Sequence, residues 1–396
     1  DATGEMHYYG LPETQSFNMM FVRKDILAEL DLDIPKTWDD IYSAIPVLQA
    51  NNMQIGMHVE YRMFIYQMGG ELYADNGMRI NLDANTSLEA FEKMCNMFTM
   101  YSFPLSYDFA NRFRTGEMPI GFAAYTETYN KLKVFATEIE GLWGFYPMPG
   151  IEDEFGNINN SSVSGVSAIV MITGCENVEG AWDFMRWHSG VSFQTQYSNE
   201  MASIPGPSAK HPTANIHALE SLPWTTDELK EIKLQFNNLA SIPNYPGHYI
   251  IARYTNFAFL AAYNVNADPA ESLLKYINTI NKEITRKRDE FDLETLDYVG
   301  QKLSEKRLNQ VYTLIAEGEI TIEQGVSEIG ADGNSVVKMI DNRYTISSDL
   351  KNKNSAVFDK LIEELGRAAD VDNRISEERQ MTILADGIAA LEEIAE

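Results

Sequence analysis

The sequence predicts a mixed α/β fold over residues 1–293, followed by a helical tail over 294–396. Two observations carry this. Helix-period and strand-period patterns alternate through the first region, whereas the second shows helix patterns alone. The aromatic supply also changes: of 19 Phe, 5 Trp and 20 Tyr, the tail holds only Tyr298, Tyr312, Tyr344 and Phe358. The boundary is placed after the basic stretch Arg286-Lys287-Arg288-Asp289-Glu290-Phe291.

Taken in order, Pro35-Lys36-Thr37-Trp38-Asp39-Asp40 predicts a helix start. Thr37 can cap it, and Asp40 can accept from an orphan amide at the positive dipole end. That helix runs through Leu48, with a kink or early stop expected at Pro46. Gly69-Gly70-Glu71-Leu72-Tyr73 and Ile80-Asn81-Leu82 flank Asp75-Asn76-Gly77, which reads as a hairpin-like or loop connection. Ser87 is expected to cap a second helix, because Leu88, Phe91, Cys95 and Phe98 share one face. Residues 166–172 form an apolar run expected as a buried strand ended by Gly174. Val178, Ala181, Trp182 and Met185 then define an amphipathic helix. Pro and Gly cluster at Pro147-Met148-Pro149-Gly150, Ile204-Pro205-Gly206-Pro207 and Pro243-Asn244-Tyr245-Pro246-Gly247, which are loops and divide the region into blocks. In the tail, Leu296, Val299 and Leu303 share a face, as do Met381, Leu384, Ile388 and Leu391.

Composition bounds the function. Lys and Arg total 31 against 58 Asp and Glu, a net charge of −27 over 396 residues. Nucleic-acid binding is disfavoured, since phosphate contact needs clustered cations. No apolar run is long enough to span a bilayer. Cys95 and Cys175 fit neither a disulfide scaffold nor a zinc site. Phosphate-cradling loops, paired-His zinc motifs and the Gly-x-Ser-x-Gly elbow are absent, so no cofactor is implied. The six histidines are scattered and read as surface or singly hydrogen-bonded. Asp153-Glu154-Phe155-Gly156-Asn157 lacks the alternating oxygens of a calcium loop and reads as a turn.

What remains is a set of aromatics beside polar residues at segment ends: His7-Tyr8-Tyr9, Tyr61-Arg62, Tyr125-Thr126-Glu127, Trp143, Trp224 and His248-Tyr249. This is carbohydrate-binding chemistry, in which a pyranose face packs on a ring while carboxylate, amide and guanidinium groups bond its hydroxyls. The bland alternative is that these rings are core.

A longer pattern runs through Tyr9-Gly10-Leu11-Pro12-Glu13-Thr14-Gln15, Met20-Phe21-Val22-Arg23-Lys24-Asp25-Ile26-Leu27 and Ile34-Pro35-Lys36-Thr37-Trp38-Asp39-Asp40. It continues through Gly69-Gly70-Glu71-Leu72, Phe113-Arg114-Thr115-Gly116-Glu117-Met118-Pro119-Ile120-Gly121 and Gly165-Val166-Ser167-Ala168. Ala181-Trp182-Asp183-Phe184-Met185 and Asp268-Pro269-Ala270-Glu271-Ser272-Leu273 complete it. The order resembles the family 1 extracellular solute-binding proteins of bacterial ABC importers, the sugar-binding relatives of maltose-binding protein. The resemblance implies a periplasmic-binding-protein-like type II α/β fold, with two lobes that close on a ligand by a hinge motion. It further implies that 1–143 and 200–293 form the C-terminal lobe and that 144–199 crosses into an N-terminal lobe. Most of that lobe would precede the Tyr9 motif, so a fragment of a longer product is expected, with uncovered apolar surface around 166–172.

The function implied is oligosaccharide binding for uptake, without catalysis. The partners would be a carbohydrate and a membrane permease, outside the cell, lipid-anchored or periplasmic. The carried-over ligand positions are Tyr125, Thr126 and Glu127, expected on a cleft-facing loop, with His248, Tyr249 and Arg253. Tyr9, Glu13, Tyr61 and Arg62 are added to them. A glycan hydrolase using two carboxylates and a non-transport interaction module are the alternatives.

Overall fold

The computed structural model describes residues 9–153, 155–203, 210–291, 293 and 295. The predicted helices of 296–396 lie outside the described residues. The chain divides into two compact units, Asp1–Gly70 with Lys93–Ile242, and Glu71–Glu92 with Pro243–Glu396.

The first unit is organised by one long strand, Leu11–Arg23. Its residues 11–17 pair antiparallel with the strand Ser162–Ile169, with a bulge between Pro12 and Thr14. Its residues 18–22 pair antiparallel with Ile120–Ala124, and 20–23 with Trp143–Tyr146. Short parallel strands, Ile55–Gly56 and Leu239–Ala240, complete a six-stranded mixed sheet. Met19, Met20, Phe21 and Val22 are wholly buried. Phe21 packs against Phe109, Phe113, Trp143 and Phe145, the interlocked tilted and edge-on ring geometry that aromatic quadrupoles favour.

Helices close this core. Trp38–Ala50 begins with the predicted capping box: Asp40 N donates to the Thr37 hydroxyl, and Thr37 N donates to the Asp40 carboxylate. Pro46 neither stops nor ends it. The ring sits on the exposed side, where the Tyr42 carbonyl that loses its amide can reach water. Trp38 is buried against Phe64 and Phe122, and its indole N–H donates to Gln67 Oε1 at 2.7 Å. The Gln67 amide donates in turn to the carbonyls of Pro149 and Ser161. The helix Phe109–Thr115 ends at Gly116, whose φ of +85° is the left-handed cap that favours glycine.

The run 166–172 departs from the expected buried strand. The strand occupies Ser162–Ile169, and Val166, Val170 and Ile172 are 54%, 57% and 73% exposed. Uncovered apolar surface, the other expectation for this stretch, is what the structure has. The helix predicted from Val178 spans Val178–Ser189, followed by Val191–Ser203. Of the helix's patterned face Met185 is buried, while Val178 and Trp182 are exposed.

In the second unit, Tyr73–Ala74 and Arg79–Ile80 form a hairpin, one of the two connections expected there. Gly77 has φ +77°, and the Tyr245 ring fills the space its side chain would need. The helices Tyr249–Val265 and Pro269–Glu290 pack together. Ile80 N donates to the buried Asn281 Oδ1, which ties the hairpin to the second of them. The helix assigned to a Ser87 cap starts earlier, as Asn85–Thr99; the Ser87 hydroxyl donates to the Asn81 carbonyl instead.

Candidate functional site

The predicted site residues fall into both units. Tyr9, Glu13, Tyr61, Arg62, Tyr125, Thr126 and Glu127 belong to the first; His248, Tyr249 and Arg253 belong to the second.

In the first unit, Tyr125, Thr126 and Glu127 are not on a loop. They open the helix Tyr125–Phe135. Tyr125 and Thr126 are buried, and the Tyr125 ring lies 4.5 Å from Phe17 and 6.1 Å from Trp224. Burial pushes its hydroxyl up to about 12, as expected when a phenolate would be stranded in apolar surroundings. This ring is part of the core, as is Trp143. Glu127 is exposed. Tyr61 is buried at the start of the helix Arg62–Gln67. The Arg62 guanidinium is committed to Glu60 through two bonds, 2.8 and 2.5 Å, and that pairing holds its pKa above the ordinary arginine value.

Tyr9 and Glu13 are differently placed. Tyr9 is 71% exposed, next to Gly10, which approaches Ile169 and Val170 closely. Glu13 is half-buried on the long strand, 3.7 Å from His188 Nε2. His188 belongs to a row of rings that the sequence reading passed over. Phe184, Trp187, His188, Phe193, Tyr197 and His211 follow one another at centroid distances between 4.6 and 6.3 Å. Phe184, Trp187 and Tyr197 are exposed. Exposed rings beside a carboxylate and imidazoles can stack a sugar face and bond its hydroxyls. The signal for them in the sequence is the density of rings in Trp182-Asp183-Phe184-Met185-Arg186-Trp187-His188, which by spacing alone reads as a helix face.

In the second unit, His248 Nδ1 lies 2.6 Å from the Tyr73 hydroxyl. His248 precedes the helix Tyr249–Val265 without capping it by its side chain. Tyr249 is exposed, and its hydroxyl donates to Glu283. Hydrogen bonding to Arg286, before that from Tyr249, lowers the Glu283 carboxyl to about 2. Arg253 is exposed one turn further along. The imidazole and the phenol are thus each engaged within the second unit, to Tyr73 and to Glu283.

The Asp153 turn has the form expected from its sequence. Its carboxylate accepts from the amides of Phe155 and Asn157 and from the Asn157 side chain. Among the described residues no cluster of three His, Cys, Asp or Glu could hold a metal ion, and no helix is long and apolar enough to cross a membrane.

Residues 1–190 match the family described as bacterial extracellular solute-binding protein. Among solved structures, it is similar to the sugar-binding protein MalE from the phytopathogen Xanthomonas citri, with 17% identity and a TM-score of 0.60 over 72% of this chain and 73% of that one. An ABC transporter solute-binding protein from Thermotoga lettingae, bound with α-D-tagatose, has 17% identity and a TM-score of 0.57 over 70% and 72%. Maltose-bound MalE3 of T. maritima has 17% identity and a TM-score of 0.54 over 72% and 73%. No curated protein sequence matches the chain. The α/β fold of the solute-binding proteins is thus the fold of this chain.

Proposed function

We propose that this protein binds a carbohydrate outside the cell, without altering it, as the solute-binding component of an ABC importer. The observation that carries the reading is the shared fold: the similar proteins from X. citri and the two Thermotoga species are sugar-binding or sugar-bound, and each match spans more than two thirds of both chains. The family of residues 1–190 supports it. So does the chemistry of the exposed groups, which pairs rings with fixed hydrogen-bonding side chains.

In this reading Tyr9 and Glu13 are ligand contacts offered by the first unit, and His248, Tyr249 and Arg253 are those offered by the second, each taken by itself. Tyr61, Tyr125 and Thr126 are packed supports that hold neighbouring backbone of the first unit in place. Arg62 and Glu127 contact ligand through their solvent-facing edges. The permease is the partner that receives the sugar, and a lipid anchor keeps the protein at the membrane. Aromatic stacking sets the register of the sugar, and polar groups select its stereochemistry, because an unmatched buried hydroxyl costs about 1–3 kcal/mol. Titration calorimetry of the whole chain against a panel of oligosaccharides tests this. A saturable heat with some members is expected, weakened by Tyr249→Ala; a silent panel contradicts it.

A further inference from the structure

Residues 211–215 form a strap between two layers of the first unit. Toward the strand Leu11–Arg23, Gln15 N donates to the Pro212 carbonyl at 2.8 Å and Ala214 N to the Glu13 carbonyl at 3.0 Å. Toward the helices, the Thr213 hydroxyl bonds Gln194 Oε1 at 2.9 Å, and Asn215 Nδ2 donates to the Ser189 carbonyl at 3.1 Å. His211 heads the strap and meets Tyr197 edge to face at 5.1 Å.

The helix pair that the strap holds has little apolar anchorage. Among its described residues Met185 is the buried apolar side chain, and the other buried ones, Gln194 and Ser198, are polar. Its attachment therefore rests on polar contacts, which contribute only about 0.5–1.5 kcal/mol each.

Two imidazoles sit in this joint with one ring nitrogen sealed from solvent. His211 Nε2 and His188 Nδ1 are buried and have no hydrogen-bond partner among the described residues, and the same holds for the Thr195 and Ser198 hydroxyls. A neutral imidazole can leave such a nitrogen unprotonated. Protonation of His211 would force a charged N–H at Nε2 into a place with no acceptor among the described residues, a cost that opening the joint relieves.

We propose that the strap 211–215 is an acid-sensitive latch: protonation of His211 releases the helices Val178–Ser189 and Val191–Ser203 from residues 11–17 of the long strand. The groups facing His211 set the direction. Glu13 on the strand favours the imidazolium and His188 on the first helix opposes it, while burial, the largest influence, holds His211 below the ordinary histidine value. The second helix presents Tyr197 and two hydroxyls; its Glu200 is bonded to Gln196 at the surface. Lys210 is turned away, donating to the Pro223 carbonyl and lying over the Trp224 ring. Because the folded value is depressed, the contribution of His211 to stability is complete above the unfolded value near 6.5 and is lost as pH falls below it.

Hydrogen exchange read by mass spectrometry on the whole chain, corrected for intrinsic rates, tests the latch. Between about pH 7.5 and about pH 5, protection in 186–203 should fall about tenfold or more. His211→Gln should abolish that pH dependence. No loss in the wild-type protein, or an equal loss in His211→Gln, overturns the proposal. Should the variant fail to fold by circular dichroism, an NMR titration of His211 in the wild-type protein decides. A His211 midpoint matching that of the exchange change supports the latch, and midpoints more than about one unit apart overturn it.

Discussion

Residues 11–17 and 19–23 lie on one strand and live in different surroundings. The second stretch is flanked by two antiparallel partners and enclosed by Phe109, Phe113, Trp143 and Phe145. The first is paired to a strand whose Val166 is exposed, beside helices that leave Phe184, Trp187 and Trp182 exposed. Backbone pairing differs as well, since the second stretch has strands on both sides and the first pairs with Ser162–Ile169 through a bulge between Pro12 and Thr14. Side-chain burial is the larger difference, and stability should follow it, because apolar area removed from water is the dominant favourable contribution to folding.

The largest test of this contrast is Phe21→Ala. A wholly buried phenylalanine replaced by alanine should cost about 3–5 kcal/mol in denaturant unfolding, whereas Phe184→Ala, half exposed on the uncovered side, should stay within about 0.5 kcal/mol. Equal losses would mean that the helix face is covered in solution. Next in size is Gln67→Ala at the junction. It orphans the Trp38 indole N–H and the carbonyls of Pro149 and Ser161, and should cost about 2–3 kcal/mol by the penalty for unpaired buried polar groups, with weakened exchange protection at the start of Ser162–Ile169.

Acid separates the two stretches by pH. In the packed half, hydrogen bonding to Arg23 holds the Asp25 carboxyl below the ordinary value of 3.8, with both guanidinium bonds at 2.7–2.9 Å. A depressed carboxylate contributes stability above its unfolded pKa and loses it as pH falls through the folded one. Asp25→Asn should therefore destabilise at neutral pH, with the difference from wild type shrinking as pH falls below 3.8. The uncovered half, governed by His211, should respond first, below the histidine value. The smallest effect belongs to Val166→Ser and Ile172→Ser. Each should change stability by less than about 0.5 kcal/mol, while the pair lowers the fluorescence of a hydrophobic dye; unchanged dye binding would place the sticky surface elsewhere.

Local signals were legible in the sequence where the chemistry is local. Thr37 and Asp40 specify their capping box within four residues, Gly77 its turn, and Gly116 the helix end. Signals that depend on what packs opposite were not. The apolar run 166–172 reads as buried because its side chains favour burial, but composition does not say whether a covering layer exists. Tyr125 beside Thr126 and Glu127 reads as a ligand-facing aromatic, yet Phe17 and Trp224 claim its ring. Glu13, His188 and His211 are far apart in sequence and are brought near one another only by the fold, so no spacing rule could have joined them.

The reading of this protein as a carrier of unmodified sugar is tested most directly by equilibrium dialysis of the whole chain against α- and β-linked oligosaccharides, with chromatography of the recovered ligand. The account predicts that at least one oligosaccharide is retained in proportion to protein and comes back intact. Retention of none, or recovery of shortened chains with new reducing ends, would contradict it.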